Sequence, residues 1–88
     1  MLSDWRVVDF SKPLQVRVNV SAITPGAKWA LYFEDNRGFY RALFGDNPQS
    51  GLSERPASEL SWNGPHRFRM KFYCIDGAMT LDSVTLKP

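Results

Sequence analysis

From residue 67 to residue 74 the chain alternates strictly: Arg67, Arg69, Lys71 and Tyr73 fall on one side, and Phe68, Met70, Phe72 and Cys74 on the other. A strand of this period lines up three cations and a phenol in one row. Tyr32 and Tyr40 lie in two further alternating segments, and Arg17, Asn19 and Arg41 offer more polar groups. A flat ring to stack on, beside groups that hydrogen-bond in planar pairs, suits a ligand with an apolar C–H face and a fringe of hydroxyls, as a sugar ring has. Three Trp, three Tyr and six Phe exceed the needs of one small core, so some rings are expected to face outward. Trp5 and Trp62 lie in less regular stretches and are candidates for exposed indoles at a loop edge. The expected ligand-binding set is therefore Tyr32, Tyr40, Trp62, Arg67, Arg69 and Tyr73. The competing reading has Trp29 and Trp62 filling the core or plugging loops, with the basic residues merely solvating a sheet face.

Other chemistries find less support. His66 is the only histidine, and it follows Pro65 with no recognisable nucleophile or partner, so no catalytic constellation is read. Paired carboxylates could serve a glycosidase, but 88 residues give little depth for a cleft. The six glycines are dispersed at turns and form no phosphate-cradling loop. Cys74 is alone, which excludes an internal disulfide and fits either a reducing compartment or a module cut from a secreted protein. The basic row also suits an anionic partner, an acidic polysaccharide or a nucleic acid. Glu34, Asp35, Glu54 and Glu59 dilute that field, and a net charge of +2 is modest for nucleic acid. No apolar run approaches the ~18 residues of a membrane span. Met1-Leu2-Ser3-Asp4-Trp5 does not read as a signal peptide, and the compartment stays open.

The elements that must position these residues are strands. Leu14, Val16, Val18 and Val20 alternate with Gln15, Arg17 and Asn19, and Thr24-Pro25-Gly26 then supplies a turn. Over 28–34, Trp29, Leu31 and Phe33 share one face, and Ala30, Tyr32 and Glu34 the other. Asp35-Asn36-Arg37-Gly38 is a hairpin connection. Residues 39–44 return with Phe39, Arg41 and Leu43 against Tyr40, Ala42 and Phe44, and either face fits inside. Residues 45–64 are long for a structureless loop, so a short strand near Leu52 or around 60–62 is expected to break them up. Asp76-Gly77 is a turn before a last strand over 79–86. There Met79 and Leu81 are out of phase with Val84 and Leu86, which a bulge near Asp82-Ser83 would reconcile. At the front, either Trp5, Val7 and Asp9 or Arg6, Val8 and Phe10 form the row of another strand. With no helical stripe and no repeat, residues 1–88 are predicted to be one all-β domain, an antiparallel sandwich or barrel.

The order of features from Leu14 onward resembles the C-terminal portion of a carbohydrate-binding module with the galactose-binding-like jelly-roll fold. The similarity rests on the strand over 14–20, Trp29-Ala30-Leu31 opening a strand, and a polar hairpin followed by a loop with Gly51. It continues with Trp62-Asn63-Gly64 before the strand over 68–72 and closes on Leu81-Asp82-Ser83-Val84-Thr85-Leu86. About three-quarters of the chain takes part. The resemblance implies a jelly-roll-like β-sandwich that binds polysaccharide without cleaving it. Such modules are usually longer, and their N-terminal strands have no counterpart here. This is then either a minimal variant or a chain whose missing sheet a second copy supplies, and an open edge would favour a homodimer. The resemblance also suggests a calcium site with Asp76 and Asp82 as oxygen ligands; the alternative makes Asp76 a turn residue and Asp82 a bulge residue. No other cofactor is expected. The second functional reading is a structural or protein-interaction domain that assembles through an open sheet edge.

Overall fold

The alternation in the sequence becomes an inside and an outside. Val16, Val18 and Val20 have no solvent exposure, and Trp29, Leu31, Phe33, Phe68, Met70 and Phe72 are buried in the same core. Each such side chain stabilises the fold by roughly 1.5–3 kcal/mol relative to an exposed one. The computed structural model describes residues 2–88; Met1, at the head of the segment read for a signal peptide, lies outside them.

Seven strands are described: β1 (Arg6–Asp9), β2 (Gln15–Ile23), β3 (Lys28–Asp35), β4 (Tyr40–Asn47), β5 (Gly51–Pro56), β6 (Pro65–Ile75) and β7 (Met79–Lys87). They form a four-stranded sheet in the order β1-β6-β3-β4 and a three-stranded sheet in the order β5-β2-β7. Every pair is antiparallel. This is the all-β antiparallel sandwich expected from the sequence, with one strand fewer than the eight of a complete jelly roll. Only the β3–β4 connection stays within a sheet; the others cross between layers.

Local irregularities settle what periodicity left open. In β4 the register with β3 jumps from Leu31↔Phe44 to Tyr32↔Ala42, so Leu43 is an extra residue and both Leu43 and Phe44 are buried. Tyr40 and Ala42 consequently share the outer face with Glu34 and Tyr32, their register partners. In β7 the pairing passes from Asn19↔Ser83 to Val20↔Leu81, which makes Asp82 the bulge residue and lets Met79, Leu81, Val84 and Leu86 all pack against the core. The stretch after β4 is broken by β5 and by a one-turn 3₁₀ helix, Ala57–Leu60, that buries Ala57 and Leu60. At the front, Val8 packs against the core and Phe10 is buried within it, while Trp5 and Val7 take the outer side.

Candidate functional site

The outer face of the four-stranded sheet gathers five of the six residues expected to bind ligand. β6 supplies Arg67, Arg69, Lys71 and Tyr73; β3 supplies Tyr32 and Glu34; β4 supplies Tyr40. Glu34 stands opposite Arg69 on one side and Tyr40 on the other, and Tyr32 stands opposite Lys71 and Ala42. The six residue steps from Arg67 to Tyr73 and the two spacings between β6, β3 and β4 make a strip roughly 20 Å by 10 Å.

Three tyrosines form one cluster on this strip. The ring of Tyr40 stacks on Tyr32 at 4.8 Å between centroids, and Tyr73 meets Tyr32 edge-on at 5.6 Å. The hydroxyls of Tyr40 and Tyr73 lie 3.4 Å apart. Ala42 and Ala30 are short enough to leave room for the rings, and Ala30, opposite Tyr73, is buried although it points outward. Tyr40 is 49% exposed and Tyr73 41%, so the cluster keeps ring surface open to solvent. The hydrogen bond to Tyr73, reinforced by burial, pushes the Tyr40 phenol up to about 12.

Beside the tyrosines lies a cationic row. The N-terminal segment runs along β6, with the Ser3 amide donating to Met70 O at 2.9 Å and the Met70 amide donating to Ser3 Oγ at 2.8 Å. That run holds Trp5 under two guanidinium groups, 4.7 Å from Arg69 and 5.5 Å from Arg67. Glu34 accepts a hydrogen bond from Arg69 and lies 3.4 Å from Lys71 Nζ. The Arg69 bond, against a smaller effect of desolvation, holds the Glu34 carboxyl below its ordinary value. Lys71 also sits 5.3 Å from the Tyr40 ring. The face thus presents aromatic rings locked in place by their neighbours, with donors around them.

Trp62 is not on this face. Its ring closes one end of the sandwich, 5.3 Å from Phe10, 5.1 Å from Phe39 and 5.5 Å from Phe68, and stacks on His66 at 4.2 Å. Its Nε1 is buried with no acceptor among the described residues. It also walls a shallow groove of about 520 Å³ with Phe10, Pro13 and Leu14, away from the tyrosines. Arg17 and Asn19 belong to the other sheet, where Arg17 pairs with Glu54 and Asn19 with Asp82. Arg41 stands opposite Phe33, on the rim of the inner side.

The two aspartates suggested for calcium sit in different elements. Asp76 sits in the turn after β6 with φ of 59°, and Asp82 lies three residues into β7, roughly 10 Å along that strand from its start. Among the described residues no group of three or more His, Cys, Asp or Glu side chains could hold a metal ion. One link was invisible in the sequence: His66 Nε2 lies 3.0 Å from Asp35 Oδ2, because the β3–β6 register brings the ends of the two strands together.

No family model, curated protein or solved structure matches this chain.

Proposed function

We propose that this protein binds carbohydrate without cleaving it, on the outer face of the four-stranded sheet. The observation that carries this reading is the Tyr32–Tyr40–Tyr73 cluster, half open to solvent and bordered by Arg69, Lys71 and Trp5. Exposed aromatic surface is unfavourable in water unless a ligand covers it. Rings already fixed by stacking lose little conformational freedom on binding. One or two stacked sugar rings with a few exposed hydrogen bonds would provide on the order of 4–6 kcal/mol, a dissociation constant between about 1 mM and several tens of micromolar. Native affinity electrophoresis through gels containing neutral and acidic polysaccharides tests the reading: retardation in at least one gel is expected, and free migration in all of them would count against it.

One observation favours assembly as a second reading. β1 is a four-residue edge strand, and Val7 within it and Leu2 before it are 63% and 50% exposed. A second copy adding to this edge would cover both, as open edges invite. Sedimentation at micromolar concentration separates the cases, because a dimer that falls apart in Val7→Lys would support the edge and a monomer would remove it.

A further inference from the structure

The β3–β4 hairpin and the entry to β6 meet at one end of the same sheet. Between them lies a polar groove of about 320 Å³ lined by Asn36, Arg37, Asn63, Pro65, His66 and Arg67. Arg37 and Arg67 are among its lining residues, and among the described residues neither guanidinium has a carboxylate within 4 Å. Arg69 and Lys71, further along β6, differ in this respect because both pair with Glu34.

The acids nearby are already engaged. Asp35 Oδ1 accepts the amides of Arg37 and Phe39 at 2.9 Å each, and its other oxygen faces His66; only 6% of the side chain is exposed. Asp9, opposite Pro65 in the β1–β6 register, accepts the Ser11 amide. Two like charges on one groove repel each other until an anion enters, and the guanidinium fork matches carboxylate and sulfate oxygens two at a time. Asn36 and Asn63 add amide donors. Arg67 also lies over Trp5, so this one residue borders both the groove and the aromatic strip.

We infer that this groove is an anion subsite for a carboxylate or sulfate group of the glycan held on the tyrosine face, which makes the ligand an acidic polysaccharide. The inference rests on the carbohydrate reading above. The acidic groups repeat along such a polymer, so one ring can stack on the tyrosines while a neighbouring unit places its anion between Arg37 and Arg67.

The test compares polygalacturonate, a sulfated galactan and carboxyl-reduced, neutral polygalacturonate as ligands at one fixed ionic strength. Wild-type protein is expected to bind at least one anionic polymer tenfold or more tighter than the neutral one. The exposed double variant Arg37→Gln/Arg67→Gln, its fold checked by circular dichroism, should bind the anionic polymer within twofold of its own affinity for the neutral one. Equal binding of all three by wild type, or an undiminished preference in the double variant, would overturn the subsite while the carbohydrate reading stands. Absence of binding to all three would overturn the subsite, and free migration in every polysaccharide gel as well would overturn both. Tighter retention of a single-stranded oligonucleotide than of either anionic polymer would assign the groove to phosphates and overturn the glycan class.

Discussion

Tyr40 lies on Tyr32 with ring planes within 9° of parallel, and its hydroxyl reaches that of Tyr73 across the sheet. The hydroxyl pair with Tyr73, reinforced by burial, makes the Tyr40 proton harder to lose, and Tyr40 is raised to about 12 against about 10 in an unfolded chain. The sign of the linkage follows. The contribution to stability is complete below pH 10 and is lost as pH rises toward 12. Spectrophotometric titration of phenolate should show one tyrosine resisting ionisation until about pH 12. In Tyr73→Phe that late step should move down toward the ordinary value; if it stays in place, the hydroxyl pair is not its cause.

Asp35 organises the β3–β4 hairpin. Desolvation pushes its carboxyl up, but the bonds from the Phe39 and Arg37 amides and from His66 together outweigh it and leave the group below its ordinary value. A carboxyl lowered in the folded state stabilises fully above its unfolded value, about 3.9, and loses that contribution as pH falls through the folded value. Asp35→Ala should cost about 1–3 kcal/mol at neutral pH. Asp35→Asn should cost less, since an amide oxygen still accepts the hairpin amides. Urea unfolding between pH 2 and 7 should show the gap between wild type and Asp35→Asn narrowing as pH falls below about 4.

Trp62 acts as an end plug of the core. Trp62→Ala should lower stability by about 3 kcal/mol in denaturant unfolding, since it leaves a void among Phe10, Phe39 and Phe68. Trp62→Phe should recover more than half of that loss, because the indole nitrogen it removes has no acceptor among the described residues.

Gly77 allows the β6–β7 crossing to lie against the turn before β3. A methyl group on it would overlap Thr24 Oγ1 and come within 2.7 Å of Ala27 Cβ. Thr24 Oγ1 also accepts the Ala78 amide at 3.0 Å, so it is held in place. Gly77→Ala should therefore cost about 1–3 kcal/mol, read from the urea midpoint.

Much of the face was legible in the sequence because its residues sit on regular strands. Arg67, Arg69, Lys71 and Tyr73 follow from strict alternation, and Tyr32 from the parity of Trp29, Leu31 and Phe33. The bulge at Asp82 was legible too, because only an extra residue lets Leu81 and Val84 share an inside. Tyr40 was ambiguous because the extra residue in β4, Leu43, has apolar neighbours on both sides and leaves no break in the pattern. Trp62 was ambiguous between a surface ring and a loop plug: it follows an irregular stretch, and only the tertiary packing of Phe10 and Phe39 shows its indole at the end of the core. The Arg37–Arg67 groove had no local signal, since the hairpin and the β6 entry are 30 residues apart and meet through sheet register alone.

The most direct measurement is titration of the polysaccharide that retards the wild-type protein into Tyr40→Ala/Tyr73→Ala, with Trp62→Phe as the comparison and circular dichroism confirming that both variants fold. Both substituted tyrosines lie outside the buried core, so the sandwich should persist without them. Binding on the tyrosine face requires affinity to fall at least tenfold in the double variant and to stay within twofold of wild type in Trp62→Phe. Affinity within twofold of wild type in Tyr40→Ala/Tyr73→Ala would contradict it.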